Sequence, residues 1–490
     1  MLSSSTQTLS FWGVAAALLQ LFIVAGVTLR VMLTRHPPGS AVAWILLTAI
    51  LPYLGFILYL LFGERPIGKL RAHRLRQSLH AWLALGHHKL TPQGPLPFRL
   101  VRHRTYIHQA THLAGMPLTS GSEAHLLGHS EEAFEALLRD INEAQNSIDL
   151  TFYIWHSAGI VRIVEQQLIA AAHRGVSIRI LVDAFGSRAF LRSTACQQLR
   201  NSGIHVASAL PLRFWWIFGL QRADIRLHRK VVLIDKKIAF TGSLNMIDPS
   251  SYDAAQRIGA WVDAMVRFEG PVVCSLQSLW NFDWALQPDS AVTDYENAYG
   301  VSMQPQTGTA DIVCVPSGPY THQDQGLLLV LGAINQAEYK LTIISPYFVP
   351  NEVIVMALQN AVLRGVDVRL IIPHRTDSRA VSWAARRYFD DLLSAGVRIF
   401  YYEEGLLHTK SIAVDDEFAL FGSLNIDNRS MHLNFELTML IFDEAFVRDL
   451  NALHDEYEHA SLPVDAQRFR CRPLIERLKE GASYLISPLL

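Results

Sequence analysis

The sequence contains one stretch twice. One copy begins at His228 and reads HRKVVLIDKKIAFTGSLN, and the other begins at His408 and reads HTKSIAVDDEFALFGSLN. Each copy has His, one residue, Lys, four residues, Asp, six residues and then Gly-Ser-Leu-Asn, and the two align without a gap. Two such strings in register, 180 residues apart, are hard to obtain by chance. The sequence therefore predicts a duplicated fold that carries a duplicated site.

The chain around each copy alternates between helical and strand patterns. The first half has helical patterns at 130–145, 159–174 and 189–202 and strand patterns at 147–154, 177–182 and 204–207. The second half has helical patterns at 324–337, 351–364 and 378–395 and strand patterns at 340–345, 367–372 and 397–401. This alternation predicts an α/β sandwich with a parallel or mixed central sheet in each half. We expect the halves to occupy residues 121–300 and 301–490.

Two uncharged apolar runs lie near the start of the chain. The first extends from Phe11 to Leu29 and the second from Ala41 to Phe62. Each has about the 20 residues that a helix needs to cross a bilayer. A cleaved signal peptide is the alternative for the first run, but no basic segment precedes it. We therefore expect a transmembrane helical hairpin, with spans at about 11–33 and 41–62, within residues 1–65.

Basic residues follow the second run more densely than they follow the first. Five come soon after it, and the connecting loop has Arg30 and Arg35; the five are Arg65, Lys69, Arg71, Arg74 and Arg76. Because the basic side of a membrane protein is normally cytoplasmic, we expect the bulk of the chain to face the cytoplasm. Residues 66–90 have a basic helical pattern, which suits a helix on anionic headgroups or one packed on the next domain. Residues 90–120 are interpreted as a linker.

The first half carries an aromatic insertion that the second half lacks. Residues 212–220 read LRFWWIFGL, the most aromatic stretch in the chain. This pattern favours a loop beside the first motif that contacts acyl chains or the lipid interface. A buried strand is the alternative interpretation.

Each copy of the duplicated stretch brings several polar side chains to one place. Because alternate side chains of a strand share a face, His228 and Lys230 point the same way, as do His408 and Lys410. The same spacing of two residues puts a hydroxyl and an amide on one face in each copy: Ser243 with Asn245 and Ser423 with Asn425. The motif aspartates, Asp235 and Asp415, are candidate catalytic residues, although their position in turns favours a role in holding each hairpin together.

This set of groups suits a phosphodiester. Lys supplies positive charge for nonbridging oxygens, and Ser and Asn donate hydrogen bonds as charge builds in the transition state. His can attack phosphorus or move protons near neutral pH. One half lacks a partner, because attack by one His requires a second group to protonate the leaving oxygen. Two copies that meet at a pseudo-twofold axis supply both groups, and such a pair predicts a bell-shaped pH profile.

Carboxylates are expected to orient the two imidazoles. Asp263 and Glu436 follow their histidines in strand-like runs and are the candidates for the group bonded to the other ring nitrogen. Either could instead be an ordinary acid of an edge strand. A metal or other cofactor is not expected, because each His is paired with a Lys that repels a cation. The net charge of −1 gives no reason to expect nucleic acid as a partner.

The two HxKxxxxD…GSxN strings resemble the signature of the phospholipase D superfamily. Together with the two apolar runs, they make the chain similar to the bacterial cardiolipin synthases of that superfamily. Further phrases agree with this resemblance: FGERPIGK at 62–69, SGP at 317–319, SPYFVP at 345–350 and the terminal SPLL. The resemblance implies a duplicated phospholipase D-type sandwich in a multi-pass protein of the bacterial inner membrane.

The resemblance also implies a metal-independent transphosphatidylation in the bilayer. One phosphatidylglycerol would lose glycerol as its phosphatidyl group transfers to a histidine, and the hydroxyl of a second would then attack to give cardiolipin. In this scheme His228 is the nucleophile, and His408 is first the acid and then the base. The alternatives are a phospholipase D-type hydrolase, a synthase with another donor or acceptor, and a non-catalytic membrane scaffold. The sequence makes no prediction of oligomeric state.

Overall fold

A computed structural model describes residues 2–34, 38–63, 96–211, 224–250, 258–287, 303–319 and 324–485. The basic segment at 66–90 and the aromatic insertion at 212–220 lie outside these ranges, so both interpretations stay predictions. The chain divides into two compact units. One contains residues 1–73 and 212–224, and the other contains residues 74–211 and 225–490.

The smaller unit contains the two apolar runs. Its helices are Leu2–Leu33, Pro38–Ile50 and Pro52–Leu58, followed by a π-helical turn at Tyr59–Gly63. Among the described residues, one helical stretch, Trp12–Leu33, is long and apolar enough to cross a membrane, with a mean hydropathy of 2.1. Val27 and Val31 are buried against Tyr59 and Trp44, and the two aromatic rings meet edge to face at 5.6 Å. The two runs therefore pack against each other.

The second apolar run, expected to form one helix over about 41–62, is instead two helices followed by the π-helical turn. The helix that begins at Pro38 ends at Ile50, and Leu51 has non-helical backbone angles (φ −127°, ψ 73°). Pro52 has no N–H to continue the ladder, and its ring disfavours a helical conformation for the preceding residue. A new helix therefore begins at Pro52.

The described residues of the larger unit form one mixed sheet of 15 strands and two short strand pairs. The strands of this unit, in chain order, are β1 Leu118–Leu127, β2 Ser147–Phe152, β3 Ser177–Asp183, β4 His205–Ala209, β5 Val231–Ile234, β6 Ile238–Gly242, β7 Trp261–Val262, β8 Met265–Glu269, β9 Ala310–Ser317, β10 Lys340–Ile344, β11 Phe348–Val349, β12 Asp367–Pro373, β13 Arg398–Tyr402, β14 Leu406–Leu407, β15 Ser411–Val414, β16 Phe418–Gly422, β17 Ile426–Asp427, β18 Glu436–Phe442 and β19 Ser461–Pro463. The large sheet has the order β19-β13-β12-β10-β15-β16-β18-β9-β1-β8-β6-β5-β2-β3-β4, and the pairs β11–β17 and β14–β7 lie outside it.

The strand order shows the duplication. From its centre outward, the first half runs β1-β8-β6-β5-β2-β3-β4 and the second runs β9-β18-β16-β15-β10-β12-β13, with β19 added at the edge. The central strands β1 and β9 pair antiparallel, as a twofold relation between the halves requires. The predicted mixed sheet in each half is confirmed. The structure adds that the two sheets join into one.

Helices cover both faces of the sheet. They are the 3₁₀ turn Phe98–His103 and the α-helices Arg104–Ala114, Ser130–Glu143, Ile160–His173, Arg188–Leu191, Thr194–Asn201, Val272–Ala285, Gln325–Gln336, Glu352–Leu363, Arg379–Arg386, Phe389–Ala395, Asn428–His432, Glu444–His459, Ala466–Arg470 and Leu474–Leu485. In the first half, Ile148 and Leu150 of β2 pack beneath the helices at 130–143 and 160–173. Asp149 points to the other face and accepts a hydrogen bond from Gln277 (3.0 Å).

Residues 98–120 are part of the folded unit, which corrects the interpretation of 90–120 as a linker. The helix Arg104–Ala114 has a buried face that includes Tyr106 and Ile107. The Tyr106 hydroxyl donates to the carbonyl oxygen of Leu329 in the second half (2.9 Å). Gly115 ends the helix in the left-handed region at φ 62°, where a residue without Cβ is unstrained. The Pro- and Gly-containing stretches on both sides of this helix concealed it.

Two long helical patterns are each divided in the structure. The pattern at 189–202 becomes Arg188–Leu191 and Thr194–Asn201, because the Ser193 hydroxyl accepts the N–H of Cys196 and starts a second helix. The pattern at 378–395 becomes Arg379–Arg386 and Phe389–Ala395.

Candidate active site

The segment that leads into each motif histidine is bound to the opposite half of the unit. The N–H of His228 donates to the carbonyl oxygen of Phe435 at 2.9 Å. The N–H of His408 donates to the carbonyl oxygen of Val262 at 2.8 Å. In each case the accepting carbonyl belongs to the residue directly before a candidate carboxylate of the other half, Glu436 or Asp263. Each half therefore contributes backbone to the histidine of the other half.

The crossing decides which carboxylate orients which histidine. The Nδ1 atom of His228 lies 2.9 Å from Oε2 of Glu436, and Nδ1 of His408 lies 2.6 Å from Oδ1 of Asp263. In the sequence each acid follows the histidine of its own half, whereas in the structure each binds the histidine of the other half. Both candidate acids therefore bind a motif histidine, but each binds the histidine of the opposite half. This exchange makes the two motifs parts of one site.

The motif serines lie behind the carboxylates, not on the cavity, and this corrects their prediction as substrate-binding groups. The Ser423 hydroxyl donates to Oε2 of Glu436 at 2.6 Å. The Ser243 hydroxyl accepts the N–H of Ala264 at 3.1 Å, and its interaction with Asp263 lowers the pKa of that acid. Both serine side chains are fully buried. In the second half the hydrogen bonds therefore run from Ser423 to Glu436 and on to His228.

The glycine before each serine permits this close packing. A Cβ atom on Gly422 would lie 2.1 Å from the carbonyl oxygen of Leu437. A Cβ atom on Gly242 would lie 2.5 Å from the carbonyl oxygen of Ala264. The Gly-Ser pair of the motif therefore brings β6 and β16 close to the strands that carry the acids.

The two motif lysines are buried and held by the histidine backbone. Nζ of Lys230 donates to the carbonyl oxygen of His228 at 2.6 Å, and Nζ of Lys410 makes the same bond to His408. Burial lowers the pKa of Lys230 to about 8, which leaves it charged at neutral pH. The charge of each lysine acts on both histidines, because the lysines of the two halves lie at the same site.

The histidines are neutral and their acids are charged at neutral pH. Burial lowers the pKa of His228 to about 4 and that of His408 to about 3, against the opposing effect of the neighbouring acids. Burial would raise the pKa of Glu436 and Asp263, but the partner histidine and the nearby lysines outweigh it and lower the pKa of each acid. A charged acid accepts the Nδ1 proton, so the lone pair of each neutral imidazole is on Nε2.

The two histidines open onto one cavity of about 300 Å³. Its walls contain residues of both halves: Tyr153, Ile154, Arg226, His228, Asn245, Trp261, Tyr347, Val349, Asp377, Ser378, Val381, His408, Asn425, Asp427, Arg429, Ser430 and Asn434. The motif amides are therefore on the cavity, unlike the serines. Asn245 accepts the N–H of Ile154 through its side-chain oxygen (3.2 Å), so its amide nitrogen is the atom that can donate to a ligand.

The structure places the motif aspartates outside this cavity, which corrects the prediction that they are candidate catalytic residues. Asp235 and Asp415 lie at the far ends of β5 and β15 from the histidines, with left-handed φ angles of 51° and 48°. The carboxylate of Asp235 accepts the three consecutive N–H groups of residues 145–147 at 2.6–2.8 Å. That of Asp415 accepts the N–H groups of residues 338–340. Both acids hold the backbone that enters β2 or β10.

Asp235→Ala is expected to destabilise the protein by about 1–3 kcal/mol without changing the chemistry of the folded fraction. Three N–H groups lose their charged acceptor, and none of them belongs to the cavity. Thermal unfolding in detergent and kcat per folded molecule would measure the two effects. Lys237→Ala, in the same turn, is the control and should change neither. A kcat loss of 100-fold or more in folded Asp235→Ala would instead make this acid catalytic.

Arg229, between the His and Lys of the first motif, is a buried structural residue that the motif spacing does not predict. The Arg229 guanidinium is fully buried. Its Nη1 donates to both carboxylate oxygens of Asp283 (2.5 and 2.6 Å), and its Nε donates to the backbone oxygen of Glu436 (2.9 Å). The equivalent residue of the second motif, Thr409, lies 3.3 Å from the backbone oxygen of Val262. Both residues thus hold the backbone at or next to the acid that orients a histidine. The available signal was an arginine just before the apolar run of β5.

Arg229→Met is expected to destabilise the protein by about 3–5 kcal/mol, because Asp283 would keep a buried charge without its partner. The double variant Arg229→Met/Asp283→Leu removes both charges and should recover most of that loss. Denaturant unfolding in detergent would measure both. Since the double variant still lacks the bond to Glu436, its activity should remain low. A single variant as stable as the wild type would contradict the role of this pair.

Comparison with known proteins agrees with the duplicated architecture. A family profile described as "Cardiolipin synthase, PLD-like domain" matches residues 137–264 and again residues 330–457. A second profile, described as phospholipase D-nuclease N-terminal, matches residues 21–64. A solved structure of phosphatidylserine synthase from Haemophilus influenzae Rd KW20 has a similar fold, with a TM-score of 0.59 at 14% identity. The match covers 79% of this chain and 100% of that one.

Named relatives match almost the whole chain. Cardiolipin synthase A of Klebsiella pneumoniae (strain 342) is 40% identical over 487 residues, and that of Proteus mirabilis (strain HI4320) is 38% identical over 488. Each match covers 96% of both sequences. Fold and site together define a phospholipase D-like protein with two homologous halves. The chain belongs to the cardiolipin synthase family of the phospholipase D superfamily, a family of phospholipid phosphatidyltransferases.

Proposed function

We propose that this protein makes cardiolipin and glycerol from two molecules of phosphatidylglycerol through a phosphatidyl-histidine intermediate. The observation that carries the proposal is the crossed pairing of two histidines and two carboxylates on one cavity. A displacement at phosphorus needs a nucleophile and a proton donor, and the two halves supply one each. The relatives' name, cardiolipin synthase A, supports cardiolipin as the product. Phosphatidylglycerol as donor and acceptor is what the family resemblance implies.

In the first step, Nε2 of His228 attacks the phosphorus of the donor lipid. The bond from phosphorus to the glycerol oxygen breaks, and Nε2 of His408 gives its proton to that oxygen as glycerol leaves. His408 must therefore be protonated when substrate is bound. A bound phosphodiester anion favours this charge, and Asp263 stabilises it from the Nδ1 side. The assignment of His228 as nucleophile rests on the family resemblance.

In the second step, His408 acts as base. It accepts the proton of a glycerol hydroxyl on a second phosphatidylglycerol, and the resulting alkoxide attacks the phosphorus of the intermediate. The phosphorus–nitrogen bond breaks, cardiolipin forms and His228 returns to its neutral state. Asn245 and Asn425, which line the cavity, supply the oxyanion contacts. Lys230 and Lys410 lie buried at the histidines and contribute positive charge from behind the cavity wall.

The apolar helices suit a reaction between two lipids. Membrane association follows from the family and from the helix at Trp12–Leu33. We propose that both apolar runs span the bacterial inner membrane and that the larger unit faces the cytoplasm. Both phosphatidylglycerol molecules would then reach the enzyme within one surface, which favours a lipid acceptor over water.

Purified protein in phosphatidylglycerol vesicles with EDTA tests the proposal. We expect glycerol release and cardiolipin in equal amounts. Phosphatidic acid as the sole product would indicate a hydrolase, and a requirement for phosphatidylethanolamine or a cytidine-activated donor would indicate another synthase. Rapid quenching with a labelled donor should trap the phosphatidyl group on His228. A label on His408 would reverse the assignment of the two histidines.

A further inference from the structure

The catalytic groups of the cavity obey the pseudo-twofold relation, but the residues that flank them do not. Arg226 lies two residues before His228 and lines the cavity. The residue two positions before His408 is Leu406, which is fully buried in an apolar cluster with Trp261. One flank of the cavity is therefore cationic where its symmetry mate is apolar.

A second arginine shows the same asymmetry. Arg429 follows the motif residue Asn425 by four positions and also lines the cavity. Four positions after Asn245, the first half has Pro249. The duplication thus supplied matching catalytic groups in both halves, while the positions equivalent to Arg226 and Arg429 are the uncharged Leu406 and Pro249.

Both arginines are fixed to one short stretch of backbone. The carbonyl oxygen of Arg429 accepts the N–H of Asn434 at 2.9 Å, and that of Arg226 accepts the N–H of Phe435 at 2.8 Å. Because Asn434 and Phe435 are consecutive, the two arginines start from the same side of the cavity. Asn434 itself lines the cavity and is 8% exposed, and among the described residues its side-chain oxygen has no hydrogen-bond partner.

The acids on the cavity are each engaged by neighbouring groups. Asp377 accepts the hydroxyl hydrogen of Tyr347 at 2.8 Å, and Asp427 accepts the N–H of Ser430 at 2.7 Å. Burial raises the pKa of Asp427, and the charge of the neighbouring Arg429 opposes that rise. In the proposed reaction the histidines and the motif amides contact the reacting phosphate, and the buried lysines add positive charge behind them. A second anion on the same cavity would therefore meet the arginines.

A transfer between two phospholipids brings a second anion into the site, because the acceptor carries a phosphodiester of its own. We propose that Arg226 and Arg429 bind the phosphate of the acceptor phospholipid, with Asn434 accepting a hydrogen bond from its glycerol headgroup. Guanidinium groups match phosphate oxygens in bidentate geometry, and an unpartnered amide oxygen suits a hydroxyl donor. The inference rests on the proposed function and names the groups that select a lipid acceptor.

Two reactions of the same enzyme separate the acceptor site from the donor site. In vesicles of phosphatidylglycerol, cardiolipin formation requires a phosphorylated acceptor. Exchange of labelled free glycerol into phosphatidylglycerol uses the same intermediate with an acceptor that has no phosphate. We expect Arg226→Gln and Arg429→Gln each to lower the ratio of cardiolipin formed to glycerol exchanged by tenfold or more. Arg429→Lys keeps the positive charge but lacks the planar guanidinium that donates two hydrogen bonds. Its ratio should lie between that of Arg429→Gln and that of the wild type.

Arg139→Gln is the matched control, because Arg139 is an exposed residue of the helix at 130–143. An unchanged ratio in both glutamine variants, or an equal loss of both reactions, would overturn the inference. A wild-type enzyme without either reaction would instead overturn the proposed function. Inorganic phosphate at millimolar concentration distinguishes the source of the anion. If the arginines bind lipid phosphate, added inorganic phosphate leaves the wild-type ratio unchanged. If added phosphate changes the ratio in the wild type but not in the glutamine variants, the arginines bind a free anion instead.

Discussion

His228→Ala and His408→Ala are each expected to abolish turnover, not to halve it. We expect cardiolipin formation to fall by about 10³-fold or more in either variant. One histidine supplies the nucleophile and the other moves the proton, and both open onto the same cavity. Glycerol release and cardiolipin formation from phosphatidylglycerol vesicles would measure the loss.

The control for this experiment is His125→Ala, which changes an exposed histidine of β1 and should retain full activity. Because burial and hydrogen bonds tie the motif histidines to the opposite half, thermal unfolding of each variant must be compared with that of the wild type. A folded variant with a single motif histidine and half the normal activity would mean two independent sites, one in each half.

Glu436→Gln and Asp263→Asn are expected to lower kcat by about 10²–10⁴-fold. An amide in place of the charged acid no longer fixes the Nδ1 proton and no longer stabilises a protonated imidazole. The crossed contacts give the two variants different defects. Glu436→Gln should impair attack by His228, although Glu436 belongs to the second half, and Asp263→Asn should impair proton transfer by His408.

A donor lipid with a p-nitrophenol headgroup separates these defects, because this leaving group departs without a proton. With this donor, Asp263→Asn should form the phosphatidyl intermediate at close to the wild-type rate, and Glu436→Gln should not. The burst of p-nitrophenol gives the rate directly. Glu404→Gln, an exposed change near the second motif, serves as the control. The opposite pattern would mean that His408 is the nucleophile.

Several elements followed from local pattern alone. The strands at 177–183 and 367–373 are apolar runs after a Gly that ends a helix, and the structure has them within one residue of the predicted bounds. The helix at 104–114 was missed because its signal is a short buried face between Pro- and Gly-containing segments. The break at Pro52 was visible in the sequence, but hydropathy over a long window does not register one residue. Local sequence pattern therefore predicts the alternation of helices and strands more reliably than it predicts short helices and helix breaks.

The candidate site divides in the same way. The spacing of the motif placed His and Lys on one face of a strand and the aspartate in a turn, because these relations involve neighbouring residues. The roles of Ser243 and Ser423 depend on the strand that lies beside them, which periodicity does not identify. A hydroxyl aimed at a substrate and one aimed at a buried acid have the same sequence pattern.

The sequence by itself determined the duplication, the α/β class, the phosphodiester chemistry and the family, since all of these lie in residue order. Only the tertiary structure decided that Glu436 serves His228 and Asp263 serves His408. It also decided that Arg226 and Arg429 lie on one flank of a cavity whose catalytic groups are symmetric. These relations join residues more than 140 positions apart, and they arise because the halves exchange backbone hydrogen bonds where they meet.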